Sequence, residues 1–303
     1  MSSHPIQTTA ADVLQLFRES ARAREYFQKW RDDPRRQGVH AVVLGHVVRR
    51  AYTLTPKAIG DLNKRIDEDS QDRKKGAWPT LDPDALHPLG KIESRRVSKS
   101  AGPATKAIAD WSPPLAFNAA FHHLLERRGE LFTYPEFRRA SVTDPLVREL
   151  LTDDAWELFA ALREEGHEEE LLFQAFRWRL GCAYYSFVRE LHVFTLLRTR
   201  DADLRIHPLA DTLFRTDFWS TNGRSVELLI KNDTYKSGSN GRKPPMEIFG
   251  GTVFPDSSRI ELDPPRKFGR AYLPTFEEID AHTAPVHRQT DPRPAPATSG
   301  RQG

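Results

Sequence analysis

One segment constrains this chain more than any other: EELLFQAFRWRLGCAYYSFVRELHVFTLLRTR, from Glu169 to Arg200. Leu172, Phe176, Leu180, Tyr184, Phe187, Leu191, Phe194 and Leu197 recur at steps of three and four, the period of one buried helical face. A helix of that length and apolar loading needs other elements packed along it. With 38% hydrophobic and 29% charged residues over 303 positions, the chain can supply them without staples. Cys182 is the only cysteine, which excludes an internal disulfide framework and a cysteine-based zinc site. No window approaches about 18 consecutive apolar residues, and the N-terminus MSSHPIQTTAADV lacks a basic region followed by an apolar core. A cytoplasmic protein with no membrane partner is the expectation.

The residues before this helix also carry helical period. Val13, Leu14, Phe17, Ala21, Tyr26, Phe27 and Trp30 share one face between Ala10 and Trp30, a second apolar segment runs from Val39 to Tyr52, and Thr55 precedes Pro56 as an N-cap. The first third is thus expected to be helical, with further helices over 114–128 and 144–162. Between Asp69 and Thr105 the period breaks around two basic clusters, Arg73–Lys75 and Arg95, Arg96 and Lys99. That stretch is either a solvated connector or a phosphate-contacting arm. After Arg200 the pattern turns strand-like over 204–207, 213–220, 225–232 and 259–263, and Thr275 with Glu278 forms a capping box before a last helix. From Thr283 the chain is proline-rich and core-poor, the composition of a disordered tail.

The hairpin FRTDFWSTNGRSVELLIK raises the chemical question. A two-residue Asn222-Gly223 loop sends Asp217 and Glu227 to opposite faces; a three-residue Thr221-Asn222-Gly223 loop sets them directly across from each other, with Cβ atoms about 4.5–5.5 Å apart. Opposed carboxylates repel unless a cation lies between them, and a hard divalent ion takes oxygen ligands. Lys231 shares the strand face of Glu227, and Arg215 that of Asp217. Such a face suits metal-assisted hydrolysis of a phosphodiester; the alternative is an edge hairpin whose charges discourage aggregation.

These residues resemble the PD-(D/E)XK, restriction-endonuclease-like nuclease superfamily over roughly 169–282. Asp217 matches the first acid, Glu227 the acid of the second strand, and Glu190 in SFVRELHVF the acid supplied by the preceding helix. Leu229 stands where the family places lysine, with Lys231 one same-face step further on or Arg215 across the hairpin as substitutes, and Thr216 stands where it often has proline. The resemblance implies an α+β protein: a basic, mainly helical N-terminal region over 1–143 with a linker near 69–105, a nuclease-like α/β domain with a mixed sheet over 144–282, and a tail over 283–303. It implies Mg2+ or Mn2+ held by Asp217 and Glu227, water oriented by Lys231, and assistance from Glu190.

In the loop after the hairpin, Lys236, Arg242 and Lys243 lie among glycines that let a backbone approach closely, a pattern suited to nucleic-acid phosphates. It does not match a nucleotide-binding P-loop, no serine sits in a nucleophile elbow, and His122 and His123 are adjacent, so they cannot share a helical face as zinc ligands. The net charge of +3 permits a polyanionic partner without requiring one. The sequence thus points to a metal-dependent nuclease acting on DNA or RNA in restriction, repair or phage defence. The alternative is an inactive nucleic-acid-binding or scaffold subunit of a larger complex.

Overall fold

A helix of 30 residues, α7 (Glu169–Arg198), forms the axis of the fold and is about 45 Å long by the rise of an α-helix. The computed structural model describes residues 3–16, 20–55, 57–62, 64–65, 107–108, 111–230, 256–262, 267–268 and 271–283. The expected linker over 69–105 and the tail beyond Thr283 lie outside them, as do Lys231, Lys236, Arg242 and Lys243. The chain is α+β and mostly helical, with small sheets. No helix among the described residues is long and apolar enough to cross a membrane.

Sequence period gives α7 one buried face, yet between Tyr184 and Leu197 nearly every described side chain is buried. The reason is that it is surrounded. Helix α4 (Phe117–Arg128) and strand β2 (Val47–Tyr52) pack on it, as do helices α6 (Asp153–Glu164) and α9 (Phe276–Thr283). Phe121 of α4 stacks on Phe187 with ring centroids 5.1 Å apart, and the Tyr184 hydroxyl donates to the Phe132 carbonyl at 2.6 Å. Polar residues on α7 are satisfied by the elements that cover it. His192 Nδ1 accepts from the Leu54 N–H (3.2 Å) and, in the tautomer this requires, Nε2 donates to the Pro274 carbonyl (3.0 Å). One buried imidazole therefore ties an N-terminal segment and a C-terminal segment to the same helical turn. The apolar core runs without interruption from Ile6 to Ile279.

The N-terminal third is less helical than its period suggests. Strand β1 (Ser3–Thr9) pairs antiparallel with β2, enclosing α1 (Ala10–Gln15), α2 (Ala21–Asp32) and α3 (Gln37–Gly45). The apolar run over 39–52 thus divides into a helix and a strand, which apolar content alone cannot separate. Helix α5 (Tyr134–Thr143), opened by a Thr133–Glu136 capping box, leads through a π-helical turn at Arg148–Thr152 into α6. Gly129, with φ of 73°, ends α4 in the left-handed conformation. The Thr55 N-cap and the Thr275–Glu278 capping box form as expected.

Beyond α7 the segment 213–220 is not a single strand. Pro208–Phe214 forms helix α8, capped by the His207 ring accepting from the Leu209 N–H. Proline at its first position pre-sets the helical φ and offsets the branched residues that favour a strand. A three-stranded sheet follows: β3 (Phe218–Trp219) is antiparallel to β4 (Arg224–Ile230), and β4 is parallel to β5 (Asp256–Leu262). A further two-residue pair joins Lys267–Phe268 to Ala271–Tyr272.

Where α3, α4 and α8 converge, three histidines are buried: His46, His122 and His207. The His46 ring lies 5.9 Å from that of His122 and 5.8 Å from that of His207. His207 uses both nitrogens, accepting from Leu209 and donating to the His46 carbonyl at 3.2 Å, whereas both nitrogens of His122 are buried without a partner among the described residues. Burial holds His46 at about 3, His207 at about 4 and His122 well below the ordinary histidine value of 6.5. Because the folded values are depressed, the unfolded chain takes protons first: stability is full above pH about 6.5 and is lost as pH falls toward the folded values. His122→Leu removes two orphaned polar atoms and is expected to raise stability by about 1 kcal/mol at pH 7. It should also reduce the fall in Tm between pH 7 and pH 5; a variant less stable than the parent at both pH values contradicts this.

Candidate functional site

The hairpin has the three-residue loop. Ser220 N–H donates to the Arg224 carbonyl (2.9 Å), Gly223 N–H donates to the Ser220 carbonyl (3.1 Å), and Gly223 adopts a φ of 86° that a side chain would oppose. The expected pairing of Asp217 with Glu227 nevertheless fails one step further on. Phe218 is the register partner of Val226, yet the Asp217 N–H also donates to the Val226 carbonyl at 3.0 Å, so two residues of one strand oppose one of the other. This is a β-bulge, and it re-aims the side chain that precedes the pair. Thr216 sits beneath it, fully buried, with its hydroxyl within reach of the Phe218 carbonyl (2.9 Å) and the Val226 carbonyl (3.2 Å).

The bulge sends the two acids to different places. Asp217 turns toward α7, and its Oδ2 accepts the Leu228 N–H at 2.5 Å, occupying the edge of β4 where β3 has ended. Glu227 points to the opposite face of the sheet from Val226, where Arg259 of β5 binds its Oε2 through Nε (2.9 Å) and Nη2 (2.8 Å). A protein cation therefore neutralises the acid expected to share a metal with Asp217. Leu229 is buried at 8% exposure.

Asp217 instead joins Glu190 of α7 and Asp211 of α8. Glu190 is buried at 8% exposure, and burial raises its carboxyl well above the usual range, with the charges of Asp217 and Asp211 adding to the effect. Asn118 of α4 bridges two of the acids, donating from Nδ2 to Glu190 Oε1 (3.3 Å) and Asp211 Oδ2 (3.2 Å). Its Oδ1 is buried without a partner among the described residues. Asp211, Asp217 and Asn118 are half-buried, so the group opens toward solvent with Glu190 at its base.

Two of the four sequence-derived acids and bases, Glu190 and Asp217, are brought together; Glu227 is not, and Lys231 lies outside the described residues. Asp211 and Asn118 escaped sequence reasoning, although each carries a signal. Asn118 and His122 are polar residues four apart on an apolar helix, and Asp211 lies in a proline-opened first turn.

The donor set suits Mg2+ or Mn2+ by type: carboxylate oxygens and an orphaned amide oxygen, all hard ligands. Among the described residues, however, no three His, Cys, Asp or Glu side chains are spaced to hold a metal ion together. Magnesium commonly takes only one or two carboxylates and keeps its waters, which is the form of site these residues can provide. No family model, curated protein or solved structure matches the chain.

Glu190 supplies a stability test. Its folded pKa is raised, so its favourable contribution is present below the unfolded value of 4.5 and lost as pH rises through the folded value. Glu190→Gln is therefore expected to gain Tm over the parent at pH 8 relative to pH 5, read by thermal denaturation; an equal or smaller difference at pH 8 contradicts the assignment.

Proposed function

We propose that the chain is a metal-dependent nuclease that hydrolyses phosphodiester bonds of DNA, with Glu190, Asp211 and Asp217 at its reactive centre on a restriction-endonuclease-like core. The observation that carries this reading is the buried Glu190 of α7, bridged through the Asn118 amide to Asp211 of α8 and close enough to Asp217, just before β3, for that charge to raise it further. Burying acids side by side opposes stability, and purely structural seams between helices are more stable when apolar. A divalent cation would offset the repulsion within such a group.

Asp217 and Asp211, with Asn118 Oδ1, would hold the ion, which when bound polarises the phosphoryl group and acidifies water. Glu190, pushed toward its protonated form by burial, is suited to deliver a proton to a leaving oxygen. Asn118 fixes Glu190 relative to Asp211. Leu228 N–H fixes one oxygen of Asp217. Lys236, Arg242 and Lys243 are proposed to contact the nucleic-acid backbone, and Lys231 to orient water.

A second reading, an inactive nucleic-acid-binding or scaffold subunit within a multi-subunit complex, is favoured by the Glu227–Arg259 pair, which neutralises the second acid of the nuclease pattern, and by Leu229, which stands in place of its lysine. A cleavage assay on plasmid and linear DNA with Mg2+ or Mn2+ separates the two. Asp217→Asn is expected to reduce the rate at least about 100-fold, as for loss of a group acting in the transition state, while Glu227→Gln is expected to stay within about tenfold of the parent. Cleavage that survives Asp217→Asn excludes this centre. Metal-independent binding without cleavage supports the scaffold.

A further inference from the structure

Among the described residues, Arg215 is the only one other than glycine with a positive φ. It ends α8 at φ 54° and ψ 35°, its N–H donating to the Asp211 carbonyl at 3.0 Å, in the position where helices commonly place glycine. Gly129, Gly166 and Gly223 fill the other positive-φ positions, as their conformations favour. A side chain in this region costs about 1–2 kcal/mol, and the sequence spends that on an arginine whose exposed side chain makes no hydrogen bond or ion pair with any described residue. The position is also specific: Arg215 directly follows the helix carrying Asp211 and lies two residues before Asp217, with its side chain exposed, so it stands in the turn that links these two acids. Strain maintained beside a cluster of reactive groups is the signature of a functional constraint.

We propose that Arg215 is a positioning residue whose guanidinium grips a backbone phosphate of the nucleic acid beside Asp217. Guanidinium is suited to this because its planar fork matches phosphate oxygens and stays charged. The inference rests on the nuclease reading of the same centre and names a contact that reading does not include. It also separates stability from function. Arg215→Gly and Arg215→Asn, both at ease in the left-handed region, should leave Tm unchanged or higher. Both should weaken binding of double-stranded DNA about tenfold, or about 1.4 kcal/mol, and lower the slope of log affinity against log salt by about 0.9, the share of one phosphate.

Arg215→Lys should recover most of that slope. Binding is measured by fluorescence anisotropy in calcium, with cleavage of the same duplex followed in magnesium. Variants that bind with the parent's affinity and salt slope overturn the role of Arg215 while leaving the nuclease reading intact. A parent protein that neither binds nor cuts DNA overturns both. A loss of binding accompanied by a lower Tm in both the Gly and Asn variants shows a structural role and also overturns the inference.

Discussion

Nearly all of the C-terminal half of α7 is covered, and the rest of the molecule is arranged by that fact. A helix with one apolar face can leave its polar residues in water; the buried polar groups along this one must find protein partners. His192 finds Leu54 and Pro274, Thr195 accepts from the Thr53 hydroxyl at 2.9 Å, and Glu190 finds Asn118. These bonds join segments far apart in the chain to adjacent turns of one helix. Burial of α7 thus sets both the continuity of the core and the unusual environment of Glu190.

From that environment the candidate site follows. Glu190 is one helical turn from Phe194, whose ring packs 5.4 Å from Phe218 at the start of the sheet. The contact brings the bulged end of β3 against α7, and with it Asp217. Helix α8, which precedes the bulge, brings Asp211, and α4 brings Asn118 from the other side. The histidine cluster lies one turn away along the same seam, since His122 and Asn118 are four apart on α4, and His207 and Asp211 are four apart across the start of α8. Two polar layers therefore stack between the helices: a neutral imidazole layer and an acidic one open to solvent.

Features governed by local chemistry were legible in the sequence. The period of α7, the Thr275–Glu278 cap and the Gly223 turn each depend on a few neighbouring residues. Glu190 and Asp217 were each candidate acids in the sequence, but Asp217 was paired there with Glu227, and its proximity to Glu190 depends on packing. Features set at a distance were not legible. Strand β1 finds its partner only after three helices, so the pairing of Ser3–Thr9 with Val47–Tyr52 has no local signal. The bulge at Asp217 depends on a buried hydroxyl at Thr216, and one residue of displacement is enough to separate Asp217 from Glu227. Asp211 was hidden for a different reason: the segment around it has the composition of a strand, and only its proline start marks it as a helix.

Localised oxidative cleavage tests the central claim most directly, because it reports where an ion sits without requiring turnover. Ferrous iron, introduced in place of magnesium and triggered with ascorbate and peroxide, cuts the backbone nearest its site. Fragments ending near Asn118, near Glu190 and within 211–217, suppressed by excess magnesium and absent from Asp217→Asn, are the expected result. Cuts confined to the neighbourhood of Glu227 and Arg259, or a pattern unchanged by Asp217→Asn, would contradict the account.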